Sequence, residues 1–198
     1  MIHIVAFRRT GTHFLANLLA RNLQTPQTPE DMHYSHSQMP AKRFITIWRP
    51  LLPTMLSMYK MRERFGIARS CGFTDMVLLP IQQLPKTSTC DVLHYGKKVE
   101  QAHELPCQDK SLLELWREHT LEFARNAFIC FRYCNVIADP LTAIRTVAKA
   151  FSIGTTETFM PVTERVGWFS VKEDEPELTI QVMQRIRAAD LYVRGKIR

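Results

Sequence analysis

The sequence has no apolar run near the roughly 18–20 residues that a bilayer-spanning helix needs, no C-x-x-C pair, no repeat and no low-complexity segment. The first absence argues against a membrane span. The second argues against a zinc site or a disulfide framework. The five cysteines, Cys71, Cys90, Cys107, Cys130 and Cys134, are odd in number and scattered, so reduced thiols in the cytoplasm are expected. The N-terminus has no charged head before a long apolar core, and neither a signal nor a transit peptide is expected. Also missing are the G-x-x-x-x-G-K-[ST] loop of nucleoside triphosphatases and any clear magnesium-holding aspartate after a strand.

What is present suits one folded domain over residues 1–198, long enough to bury a core. With 45% hydrophobic residues, disorder is not expected. The formal charge of +7 speaks for an anionic partner: nucleic acid, an anionic membrane surface, a nucleotide or an acidic substrate.

The chain is organised around Phe7-Arg8-Arg9-Thr10-Gly11-Thr12-His13-Phe14. Before it, Ile2–Ala6 has the apolar pattern of a buried strand. After it, leucines at 15, 18 and 19 mark a helix. A strand, a short turn and a helix form an anion site, because the first helical N–H groups lack intrahelical partners and the positive end of the dipole points the same way. Arg8 and Arg9 add charge, and Thr10 and Thr12 add hydroxyls. A second strand is expected at 44–48, a weaker one at 32–36, and a loop at 24–31. Arg49 ends the 44–48 strand, and Ser57 lies eight residues on in a helix expected from Pro53 to Phe65, with Gly66 as its stop. A guanidinium at a strand end and a hydroxyl near a helix start can share one phosphate.

Residues 67–110 lack a sustained period and are expected to form a binding loop or lid. Ser111 and Glu114 form a capping box before a helix with Leu112, Leu115, Trp116, His119 and Phe123 on one face. A strand follows at 128–133. Asp139-Pro140 then starts a helix with Leu141, Ile144, Val147, Ala148 and Phe151 on its apolar face, closed by Gly154. A last helix is expected from Pro176 toward Gly195, through Ile180, Met183, Ile186 and Arg187. Strands alternating with helices predict an α/β fold of three layers, a central, mainly parallel sheet covered on both faces.

The turn at 7–14 resembles the 5′-phosphosulfate loop of sulfotransferases, Tyr-Pro-Lys-Ser-Gly-Thr-Thr-Trp, with Phe7, Arg9, Thr10, Gly11, Thr12 and Phe14 at matching positions. Arg49 and Ser57 have the spacing of the pair that holds the nucleotide 3′-phosphate in that family. Tyr133-Cys134-Asn135-Val136-Ile137-Ala138-Asp139-Pro140 resembles its Tyr-Glu-Asp-Leu-x-x-Asp-Pro, with Cys134 and Asn135 replacing the acidic pair. Arg165-Val166-Gly167-Trp168 is similar to a compressed form of its C-terminal nucleotide loop. The resemblance implies a P-loop-like sulfotransferase fold and metal-free sulfuryl transfer from 3′-phosphoadenosine 5′-phosphosulfate (PAPS) to a hydroxyl or amine, leaving adenosine 3′,5′-bisphosphate (PAP).

By the same resemblance, Arg9 stands for the family lysine, and Arg8 through Phe14 (His13 included) line the 5′ end of the nucleotide. Phe14 replaces the family tryptophan at the adenine and Tyr133 approaches the base. Arg165 and Gly167 lie at the 3′-phosphate. His36 is the first candidate for the base, Glu30 the second and His33 the third. The acceptor is assigned to 67–110 without a chemical identity. The alternatives are a P-loop-type kinase or hydrolase, expected to need a metal; a basic nucleic-acid-binding protein using Lys97, Lys98, Arg194, Lys196 and Arg198; and a sulfotransferase fold that binds nucleotide without reacting.

Overall fold

The computed structural model describes residues 1–35, 40, 43–85, 109–162 and 176–197. They belong to two compact units, one built from Met1–Arg49 and His119–Ser170, the other from Pro50–Glu118 and Val171–Lys196.

The first unit carries the sheet. Strands β1 (Ile4–Val5), β2 (His33–Ser35), β3 (Ile45–Trp48) and β4 (Ile129–Arg132) pair in parallel in the order β2-β1-β3-β4. Parallel neighbours need crossover connections. From β1 the chain runs through α1 (Thr12–Asn22) and the short α2 (Pro29–Met32) to β2. It then returns to place β3 on the other side of β1. The strand order therefore reverses at β1, and in open parallel sheets ligands bind beyond the C-terminal strand ends at such a reversal. The turn after β1 and Arg49 after β3 both leave the sheet at that edge.

The two faces of β1 enter different cores. Ile4 packs with Leu15, Leu18 and Leu19 of α1, Ile45 and Ile47 of β3, and Ile144 and Val147 of α7 (Pro140–Phe151). Val5 packs instead with Phe44 and with Phe123 of α5 (Leu112–Asn126). Each fully buried leucine or isoleucine contributes about 1.5–3 kcal/mol relative to an exposed one. The expected leucine face thus fixes how α1 lies on the strands, and so where its N-terminus points.

The second unit holds α3 (Leu51–Tyr59), a 3₁₀ turn at Arg62–Phe65, α4 (Phe73–Leu78), a second 3₁₀ turn at Ile81–Gln83, the start of α5, and α8 (Ile180–Lys196). Leu51 N–H donates to the Asp190 carboxylate of α8 at 2.7 Å. That bond lets α3 begin two residues before Pro53, which sits in the first turn, where its missing N–H costs nothing. α3 stops at Tyr59, short of the expected Phe65, and Gly66, with φ 75°, ends the separate Arg62–Phe65 turn instead.

Several boundaries differ from the sequence reading. The loop expected at 24–31 contains α2. Thr28 donates its N–H and hydroxyl to the Asp31 carboxylate, both at 2.9 Å, a bond pattern too short to show any period. The region 67–85 contains α4 and a 3₁₀ turn, and 86–108 lie outside the described residues. β4 passes directly into α6 (Tyr133–Ala138), so Tyr133 opens a helix rather than ending a strand. α7 stops at Ser152, left-handed at φ 53°, ahead of Gly154, and Leu141 is 41% exposed at its first turn. α8 starts at Ile180, which is 79% exposed, and buries Val182, Ile186, Ala189 and Val193. No helix among the described residues is long and apolar enough to cross a membrane.

Candidate functional site

The turn after β1 is a strained, inwardly braced loop. The buried Thr10 donates its hydroxyl to the Phe7 carbonyl at 2.6 Å. Two residues in three are left-handed, Arg9 at φ 63° and Gly11 at φ 108°. A non-glycine residue in that region costs on the order of 1 kcal/mol. Gly11 is the N-cap of α1; no side chain caps it, and the first turn has no acidic residue. Its carbonyl accepts the first helical bond, from Leu15 N–H at 3.0 Å. α1 thus presents its positive end with no capping side chain and no carboxylate in its first turn. Arg9 is half-buried beside them, whereas Arg8 is only 4% exposed. A buried guanidinium has to be compensated from within.

The second part follows from sheet register. Trp48 of β3 pairs with Arg132 of β4, so the next residues, Arg49 and Tyr133, leave adjacent strand ends side by side. Two arginine–aromatic stacks result, with opposite strand polarity. The Arg132 guanidinium lies 5.3 Å from the Trp48 ring, and the Arg49 guanidinium 5.0 Å from the Tyr133 ring. Such stacks contribute roughly 0.5–1 kcal/mol at exposed sites.

Tyr133 also joins the two halves. A Cβ at residue 11 would stand 2.3 Å from Tyr133 Cδ2, so the ring lies directly on Gly11. Phe14 meets the same ring edge-on, with centroids 6.0 Å apart. Gly11 is therefore required twice, by its φ and by the ring against it. Of the residues proposed from sequence, Gly11, Phe14, Arg49 and Tyr133 come together here.

Arg9, His13 and Glu30 share one electrostatic neighbourhood. Partial burial, then the Arg9 charge, hold the His13 imidazole below its usual pKa, and Glu30 opposes the shift, although the residue as a whole still reaches solvent. A neutral imidazole beside this cationic turn can accept a proton. The sequence offered no signal for this role, because His13 stood only as one member of a binding turn. Burial pushes the Cys130 thiol up to about 11, so it is no thiolate nucleophile.

Ser57 lies on α3, in the second unit. His36, Arg165 and Gly167 lie outside the described residues. Within the second unit, a groove of about 420 Å³ runs between Leu78 at the end of α4, Arg117 of α5, and Arg185 and Tyr192 of α8. Among the described residues, no group of three or more His, Cys, Asp and Glu could hold a metal ion.

No family model matches the chain, and no curated protein matches it. Among solved structures, it is similar to mouse sulfotransferase SULT7A1 complexed with PAP, at 15% identity and a TM-score of 0.41, covering 96% of this chain and 63% of that one. The chain thus spans under two thirds of that protein's length, and at this distance the likeness carries no argument about the site.

Proposed function

We propose that the protein is a sulfotransferase of P-loop-like fold that moves a sulfuryl group from PAPS to a hydroxyl or amine acceptor and releases PAP. The observation that carries this reading is the meeting of an uncapped, cationic helix start with Arg49 at the C-terminal edge of adjacent parallel strands. Two cationic clamps at one strand edge suit a donor with phosphate at both its 3′ and 5′ positions, in the order that the sequence motifs carry.

Sulfuryl transfer is chiefly positioning and electrostatics, as phosphoryl transfer is. In the proposed step the acceptor oxygen or nitrogen attacks sulfur in line. The bond from sulfur to the bridging oxygen breaks, and the electron pair leaves with PAP. Arg9 and the leading amides of α1 meet the charge that gathers on that oxygen. Arginine stays protonated, so Arg9 stabilises the leaving group without giving it a proton. Arg49 takes the 3′-phosphate; Ser57, Arg165 and Gly167 are assigned to the same end by the sequence resemblance alone. The acceptor proton goes to His36 or Glu30, as the sequence suggested, or to His13, which stands at the turn itself.

Linkage supplies the test. A ligand at 100 times its Kd stabilises the fold by about 2.7 kcal/mol. Millimolar PAP should therefore raise the Tm by several degrees, and Arg49→Ala should abolish the rise. Labelled sulfate from PAPS should then appear on one member of an acceptor panel without added metal. Absence of any PAP-dependent shift in the unmodified protein would sink the assignment.

A further inference from the structure

Tyr133 touches three members of the constellation. Its ring carries the Arg49 guanidinium at 5.0 Å, lies on Gly11 where no side chain could fit, and receives Phe14 at its edge. No hydrogen bond from its hydroxyl is needed for any of these contacts. A ring pressed on the turn and stacked under a guanidinium is committed to the protein, and is poorly placed to read a base as well.

We infer that Tyr133 is a positioning residue: its ring sets the Arg49 guanidinium against the Gly11 turn, so that both phosphate clamps form together for a 3′,5′-bisphosphonucleoside, whichever base it carries. This deepens the nucleotide reading above and rests on it for the ligand. The register of β3 on β4 supplies the reason. Trp48 opposite Arg132 brings Arg49 and Tyr133 off adjacent strand ends side by side, and α6 begins at Tyr133 itself, which fixes its backbone. The flat ring then determines how near the β1 turn can approach. A leucine there would keep apolar bulk but lose the face that Arg49 rests on.

The test uses the full chain and two probes, PAP and guanosine 3′,5′-bisphosphate, with affinities measured by calorimetry on the unmodified protein, Tyr133→Phe, Tyr133→Leu, Arg49→Ala and the Leu/Ala double variant. Tyr133→Phe should bind both probes within about twofold of the unmodified protein, because the ring is kept. Tyr133→Leu should weaken both by the same factor, about tenfold, and Arg49→Ala should cost less in the Leu background than alone. A loss in Tyr133→Phe equal to that in Tyr133→Leu would assign the phenol to the ligand. A loss confined to PAP would make Tyr133 a base reader. Either result overturns the inference.

A ligand-free cycle separates this inference from the nucleotide reading. Gly11→Ala should lower the Tm less in the Tyr133→Leu background than in the unmodified protein, since the collision at 2.3 Å is with the ring. Equal losses would refute the positioning role even if nucleotide binds. Unequal losses with no binding of either probe would keep the packing and discard the nucleotide.

Discussion

Three helices of this protein begin in two different ways. α5 and α7 carry their own anions. Ser111 N–H and hydroxyl donate to Glu114 at 2.9 and 2.8 Å, and Glu114 N–H donates back to the Ser111 hydroxyl at 3.3 Å. At α7, Asp139 accepts from Thr142 N–H at 3.0 Å, and Pro140 fills the first position. α1 has a glycine at the same place, no cap, no carboxylate in its first turn, and Arg9 beside it. The dipole and the orphan amides are the same physical problem in each. Two ends solve it internally for stability. The third has no capping side chain, and in the proposed reading an anionic ligand takes that place, at the cost of a left-handed arginine and a ring against a glycine.

The largest effect is expected where the uncapped end is most constrained. Gly11→Ala places a Cβ into the Tyr133 ring and a side chain at φ 108°. Strain and overpacking together should cost on the order of 3 kcal/mol. For a chain of this size that lowers the Tm by roughly 6–12 °C. A loss under a degree or two in thermal melts would mean that the turn yields easily and that the two kinds of helix start differ little.

The capped ends should respond more mildly and only in stability. Ser111→Ala removes both the hydroxyl donor to Glu114 and the acceptor for Glu114 N–H, which should cost about 1 kcal/mol. Its PAP affinity should match that of the unmodified protein, whereas Gly11→Ala should lose both stability and affinity. If Ser111→Ala weakened PAP binding at equal fold stability, the division between self-sufficient and ligand-dependent helix starts would be wrong.

The sequence made the capped starts and the core faces easy to see, because their signals are local. Ser-x-x-Glu at 111–114, Asp-Pro at 139–140 and leucines at 15, 18 and 19 each declare themselves within one or two turns. The turn at 7–14 was legible too, through its order of strand, Gly and helix. What could not be seen depends on contacts far apart in the chain. α3 starts at Leu51 because Asp190 reaches it, 139 residues away. Tyr133 meets Gly11 and Arg49 only because β3 and β4 pair in one register. α4 and α2 are too short for a period to emerge. His13 gains its lowered pKa from burial and then from Arg9, and neither is visible until the turn is folded.

The smallest effect is a difference in acid response between the two kinds of helix start. Asp139 is held below its usual 3.8 by the Thr142 side chain and backbone, and Glu114 below 4.5 by the Ser111 backbone and hydroxyl. Their folded pKa values are depressed. Their contribution is therefore present above the unfolded values and is lost as pH falls from about 4.5 through the folded ones. His13 is depressed as well, from 6.5. Below that pH the unfolded chain binds more protons than the folded one, so stability also falls on acidification, but at higher pH. The Tm measured from pH 8 to pH 3 should thus decline in two stages. His13→Gln should remove the upper stage, and Asp139→Asn should shrink the lower. Saturating PAP should shrink the upper stage alone, because an anion at the start of α1 favours the charged imidazole. An upper stage unchanged by PAP would place the bound phosphate away from α1 and leave its uncapped start without the external partner argued for it.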